Sequence, residues 1–274
     1  EIIKIPSIKF WVIKPNIGYI RLTQFIQTSA EDLEKALIAL EKEKVSSIIL
    51  DLRNNPGGLL TAAVEVGRKF IPKGDIVSIK SRDGEKSTYS SFFQSHPLLP
   101  LVVLINEGSA SASEIVAGAI KDNKRGLLIG RKSFGKGSVQ TVISLNDGSA
   151  MALTTALYYT PSGVNIHKKG IEPDIDVELP KISEAEREEI AKTIEAEEKQ
   201  QKTPAQATLT AELASGTFPA SSSAAIATPS GFIEPPDSLS KGSIQYYVIN
   251  RYDTQLQRAV DVLKSTEIFN GLRQ

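Results

Sequence analysis

The sequence predicts a layered α/β protein with a mainly parallel sheet, and three observations carry that reading. Short β-branched apolar runs alternate with segments of helical period. Two of those runs, residues 45–52 and 100–106, lead through a glycine-bearing turn straight into a helix. Later, residues 138–145 and 150–160 read as two long strands joined at Asn146-Asp147-Gly148, a strong hairpin signal and an antiparallel excursion from the parallel core.

Residues 1–14 alternate apolar and polar side chains around Pro6, as an edge strand does, and residues 17–22 form a second strand. Residues 30–44 form an amphipathic helix with Leu33, Leu37 and Leu40 on its inner face. The buried strand 45–52 and the turn 53–58 precede a helix over 59–70, a strand over 75–82 and a polar loop with one aromatic pair over 83–98. After the strand at 100–106, Ile115, Ala119 and Ile120 share one helical face, and residues 127–129 form a short strand. Beyond Pro180 the composition changes. Residues 181–202 read as a charged, solvated helix and residues 203–242 as a flexible linker rich in Ala, Ser, Thr and Pro. In the C-terminal segment 243–274, Leu256, Ala259, Val260 and Leu263 have helical spacing. That helix docks on the core 1–180, with pairing to a second copy as the alternative.

The chain of 274 residues is long enough for a sizeable core. Its 32 basic and 32 acidic residues balance, which argues against a nucleic-acid partner. The lack of cysteine excludes disulfides, thiol catalysis and thiolate metal sites. No apolar run approaches membrane-spanning length. The chain begins at Glu1 and its one methionine is Met151, as in a processed form or fragment, so a missing leader says nothing about location.

Chemistry concentrates at the strand-turn-helix of residues 100–120. Ser109, Ser111 and Ser113 compete for the start of the helix, where unpaired backbone N–H groups can stabilise an oxyanion. Ser111-x-x-Glu114 is a capping-box pattern that makes Ser111 the N-cap, and capping alone would explain it. Asn54-Asn55-Pro56-Gly57-Gly58 occupies the equivalent place after another buried strand, where ligands gather in open α/β sheets; a plain turn is the competing reading. Lys136, between Gly135 and Gly137, precedes an apolar strand. Partial burial is expected there, and burial lowers a lysine from its ordinary pKa of about 10.4 toward general-base range. His96 and His167 lie in polar segments and read as surface residues, which weakens a Ser–His–Asp triad. No His-Glu-x-x-His or paired-carboxylate spacing points to a metal.

Five segments occur in an order that resembles the carboxy-terminal processing, or tail-specific, serine proteases: residues 51–58 (DLRNNPGG), 108–115 (GSASASEI), 134–140 (FGKGSVQ), 153–163 (LTTALYYTPSG) and 170–174 (GIEPD). The resemblance covers residues 1–180. It implies a core related to the Clp protease and crotonase fold and a serine endopeptidase that uses a Ser/Lys dyad and an acyl-enzyme, without metal or organic cofactor. By motif position it puts the nucleophile on Ser111, the general base on Lys136, the lysine-orienting residue on Gln140, and oxyanion donors on the N–H groups of Gly57 and Ala112. Gln140 follows Lys136 by four residues, which strand alternation would put on one face.

The family implies protein substrates with apolar C-termini, a location in a periplasm, cell envelope or lumen, and a PDZ domain that captures the tail by strand addition. The sequence shows no such domain, and residues 1–10 resemble the strand that leaves one. Two readings of other classes stand beside the protease. One is an acyl-CoA enzyme that uses paired amide donors without a nucleophile; the other is an inactive scaffold.

Overall fold

The computed structural model describes residues 6–13, 16–93, 96–180 and 253–271, together with Ser183, Glu186 and Lys192. Two compact units divide the chain, Glu1–Glu178 with Thr254–Gln274, and Leu179–Asp253. The second lies almost wholly outside the described residues, as do the helix read at 181–202 and the linker at 203–242.

Parallel pairing dominates the main sheet because its strands are apolar on both faces. Its order is β1 (Ile8–Ile13), β2 (Ile17–Leu22), β3 (Ser47–Asp51), β6 (Leu101–Ile105), β7 (Leu127–Gly130) and β10 (Ile175–Asp176). Only the β1–β2 pair is antiparallel, and β1, which begins at Ile8 after Pro6, ends the sheet order as the expected edge strand. Every residue of β3 and β6 is buried. One face carries Ile48, Leu50, Leu101, Val103 and Ile105 into a core shared with α1 (Ser29–Lys42), α2 (Leu60–Phe70) and α3 (Ala112–Asp122). On α1, Leu33, Ala36, Leu37 and Leu40 supply that contact.

The opposite face carries Ile49, Val102, Leu104 and Ile129, each at most 1% exposed. The terminal helix α4 (Thr254–Gly271) packs against β6 and β7 there and buries Leu256, Ala259 and Leu263. Full burial of a leucine contributes about 1.5–3 kcal/mol, enough to hold a helix that would be marginal alone. The spacing located this helix; its length, to Gly271, exceeds the apolar pattern.

The antiparallel excursion is larger than the sequence suggested. The strand read at 75–82 does not join the parallel sheet. As β4 (Gly74–Ser81) it belongs to a second sheet, with order β5-β4-β9-β8, where β5 is Lys86–Ser91, β8 is Ser138–Ser144 and β9 is Ala150–Tyr159. Alternation reveals which side chains face inward, but not which strand is the partner. The polar residues of β5 give no apolar rhythm and read as loop, yet their Ser, Thr and Tyr suit a half-exposed strand. The hairpin at Asp147-Gly148 forms as expected, with Gly148 at φ +84°.

His96 is not the surface residue the sequence suggested. Its side chain is 8% exposed, with Nδ1 2.6 Å from Glu41 Oε1 and Nε2 3.0 Å from Glu34 Oε2. Glu34 also pairs with Lys69 Nζ of α2 at 2.6 Å. The imidazole is clasped by two carboxylates of α1, and this pins the segment before β6. Burial works to lower the His96 pKa, but the hydrogen bonds and charges of Glu34 and Glu41 outweigh it and raise the value. A group raised on folding stabilises fully below its unfolded pKa, about 6.5, and loses that contribution as pH rises through the folded value. Urea unfolding will therefore separate the parent from His96→Phe at about pH 5.5, and the gap will narrow by about pH 9. An equal gap at both pH values would exclude a charged His96.

Candidate active site

Two turns meet at the carboxyl ends of the neighbouring strands β3 and β6, and buried polar groups lace them together. Ser109 Oγ donates to Leu52 O (2.8 Å) and accepts Asn106 N–H (3.0 Å). Ala110 N–H and Ser113 Oγ both donate to Asn55 O, at 3.0 and 2.9 Å. Asn106 Nδ2 donates to Asn54 Oδ1 (2.9 Å), while Asn106 Oδ1 accepts the N–H groups of Asn54 (2.8 Å) and Gly108 (3.1 Å).

This lacing separates the three serines. Ser109 and Ser113 are fully buried and bind the turns together. Ser111 keeps some solvent exposure at the N-terminus of α3. Its backbone, at φ +55° and ψ −112°, lies in a region that costs a non-glycine residue about 1–3 kcal/mol and persists only where the surroundings over-determine it. A serine on a strained strand-to-helix turn is the geometry that presents a hydroxyl outward.

Glu114 supplies much of that determination. Its carboxylate, fully buried in the first turn of α3, accepts four hydrogen bonds: Ser111 N–H (2.9 Å) and Lys136 N–H (2.8 Å) at Oε2, and Gly135 N–H (2.6 Å) and Ser133 Oγ (2.5 Å) at Oε1. The sequence pattern marked Glu114 as a cap. The return bond to Ser111 is that cap; the bonds to residues 133–136 come from a loop distant in sequence, and no local pattern announces them.

The remaining residues fall around this centre. Gly57, at φ +100°, lies against the serine turn: a Cβ there would come 2.8 Å from Ser111 Cβ and 2.9 Å from Ala112 N. The Gly57 N–H donates to Asn55 Oδ1 at 2.9 Å. The Ala112 N–H has no hydrogen-bond partner among the described residues. Lys136 is brought close through its backbone, but its side chain is exposed, contrary to the expected partial burial. Much of β8 beyond it also lies open to solvent, and among the described residues the lysine stays exposed. No hydrogen bond joins Ser111 Oγ to Lys136 Nζ among the described residues. The alternation argument for Gln140 also fails. Lys136 precedes the strand, and the β8–β9 register shifts between Val139 and Gln140, which leaves Gln140 exposed. His167 is half-buried, not the surface residue the sequence suggested; its Nδ1 is buried without a hydrogen-bond partner among the described residues, and Gly137 packs on its backbone.

An α/β sheet with a strained serine at a helix start, a glycine turn beside it and a lysine loop tied to the same carboxylate has the layout of a serine-type peptidase. Residues 16–177 match Peptidase family S41, and the chain belongs to that family. It is 47% identical over 171 residues to the carboxyl-terminal-processing protease of Synechocystis sp., covering 62% of this chain and 40% of the relative. It is 46% identical over 166 residues to the chloroplastic C-terminal processing peptidase of Tetradesmus obliquus, covering 60% and 36%. Among solved structures, the photosystem II D1 C-terminal processing protease superposes with a TM-score of 0.59 at 40% identity, over 64% of this chain and 49% of that one. The chain thus spans less than half the length of these curated relatives.

Replacement of Glu114 leaves buried donors facing a wrong or missing acceptor, and bonds to charged groups are each worth about 1.5–3 kcal/mol. Glu114→Gln is expected to lower unfolding free energy by at least about 2 kcal/mol in urea titrations, and Glu114→Ala by more. An unchanged midpoint in the glutamine variant would remove the carboxylate from this role.

Proposed function

We propose that this chain is the catalytic part of a C-terminal processing serine endopeptidase, acting through Ser111 with Lys136 as general base. The observation that supports it most is the shared oxygen of Glu114, which holds the backbones of Ser111 and Lys136 to one atom. Lys136 takes the proton from Ser111 Oγ as that oxygen attacks the scissile carbonyl. The Ala112 N–H, without a hydrogen-bond partner among the described residues, donates to the oxyanion, and the Gly57 N–H is shared between the oxyanion and Asn55 Oδ1. The amine leaves with the proton carried by Lys136, and water then hydrolyses the acyl-serine. Gln140 orients the lysine amine. Removal from water disfavours an amine's charged form and so brings it toward general-base range. A substrate lying over the exposed Lys136 supplies that removal.

The relatives act, by their names, at carboxyl termini. Unstructured proteins with apolar tails are the substrates proposed here, and an extracytoplasmic compartment the setting. No helix among the described residues is long and apolar enough to cross a membrane. If copies associate through α4, they use its outer side, where Ile268 is 64% exposed, because its apolar face already covers the sheet.

One observation favours a second reading, an inactive scaffold: Lys136 is exposed and makes no bond to Ser111 in this arrangement. Cleavage of an apolar-tailed protein, followed by mass spectrometry, decides between them. The parent is expected to cleave, and both Ser111→Ala and Lys136→Ala to fall to background. Cleavage that survives Ser111→Ala would remove the nucleophile, and a parent silent at high concentration would favour the scaffold. Gly57→Ala forces a methyl against Ser111 and Ala112 N, so kcat is expected to fall at least about a hundredfold, as loss of an oxyanion donor does. An unchanged kcat would take Gly57 out of the site.

A further inference from the structure

The last helix of the chain reaches the turn after β3 through a buried amide. Gln255, in the first turn of α4, is 1% exposed. Its Oε1 accepts Arg53 Nη1 at 3.2 Å, and its Nε2 donates to Val177 O at 2.8 Å. Arg53 is itself folded back on Asp51, the last residue of β3, through Nη2 (2.6 Å) and Nε (3.0 Å). Asp51 Oδ1 also accepts the Arg53 N–H at 2.9 Å. The guanidinium is a rigid planar fork, so a partner on Nη1 fixes the orientation of the whole group. Arg53 opens the turn that ends at Gly57 and Gly58, the turn that lies against Ser111.

Helix docking does not call for an amide at position 255. Leu256, Ala259 and Leu263 already provide the apolar face. A buried amide costs free energy unless its polar atoms are matched, and here both ends are matched, one of them to the arginine of the active-site turn.

We propose that Gln255 is a positioning residue, which holds Arg53 on Asp51 and thereby sets the alignment of Gly57 with Ser111. The inference rests on the reading of Ser111 as nucleophile. It makes α4, some two hundred residues away in sequence from Arg53, a working part of the site.

Three variants of the full chain test it, with kcat, KM, thermal midpoint and amide exchange by mass spectrometry measured on each. In Gln255→Leu the helix keeps its apolar packing but Arg53 Nη1 loses the bond to position 255. Its kcat is expected to fall about tenfold with KM nearly unchanged, as small misplacements of catalytic groups do. Exchange over residues 52–58 is expected to rise about tenfold, and that over α1 to stay constant. Gln255→Glu restores an acceptor for Nη1 and is expected to recover most of kcat. Leu263→Ala weakens the same helix without touching Arg53; it is expected to lower the thermal midpoint and leave kcat at the parent level. Parent kcat and exchange in Gln255→Leu, or an equal kcat loss in Leu263→Ala, would overturn the proposal. A parent without activity would refute the protease reading alone, and exchange over residues 52–58 would then decide the role of Gln255.

Discussion

The site depends on one buried carboxylate. Glu114 is fully enclosed and receives donors from two segments, the start of α3 and residues 133–136. A buried ion is costly unless its lone pairs are matched, and four donors at the positive end of a helix match them. The same bonds hold Ser111 in a backbone conformation it would otherwise leave. Desolvation, helix capping and the approach of the lysine loop are therefore one event. Glu114 cannot satisfy its own burial without drawing that loop to the serine.

The sheet beneath is built to the same end. Strands buried on both faces need cover on both, and the chain supplies three helices on one side and the distant α4 on the other. This leaves the carboxyl ends of β3 and β6 as the place where polar turns can gather. At the end of β3, Asp51 collects Arg53 and the hydroxyl of Tyr19 at 2.6 Å. Burial, reinforced by the charge and hydrogen bond of Asp51, pushes the Tyr19 phenol far up, so it remains a donor to that carboxylate. The base of the glycine turn is thus a dense polar cluster inside an apolar sheet. It ties the turn's position to strand packing, not to the loop's own preferences.

The sequence revealed what is local and missed what is assembled. Alternating apolar runs and helical spacing located the parallel strands, the three inner helices and the docking face of α4, because each depends on periodicity within its own segment. The Asp147-Gly148 turn was legible for the same reason. Strand β5 was not, since its polar residues take their partner from β4, and the two residues of β10 are too few to leave a pattern. The capping-box pattern and motif position singled out Ser111 among the three serines, while the cross-turn bonds that bury Ser109 and Ser113 left no trace in the sequence. Glu114, Asn55 and Asn106 were visible as residue types, while the partners that join them to other turns and loops lie across gaps of 19 to 58 residues. His96 misled for a related reason: a polar stretch looks exposed until two carboxylates from another helix enclose it.

The lysine shows where local reasoning fails in the other direction. Spacing suggested that Lys136 and Gln140 share a strand face, yet the strand begins two residues after the lysine and slips register before the glutamine. What fixes Lys136 is its backbone N–H on Glu114; its side chain extends into solvent. Long side chains reorient at little cost compared with backbone, so a site can hold its main chain rigid and leave the amine free to move. Among the described residues, buried hydrogen bonds serve the serine turn, the glycine turn and the root of the lysine, and none reaches the amine itself. In that division the backbones of Ser111 and Lys136 are fixed to one carboxylate, while the lysine side chain stays exposed.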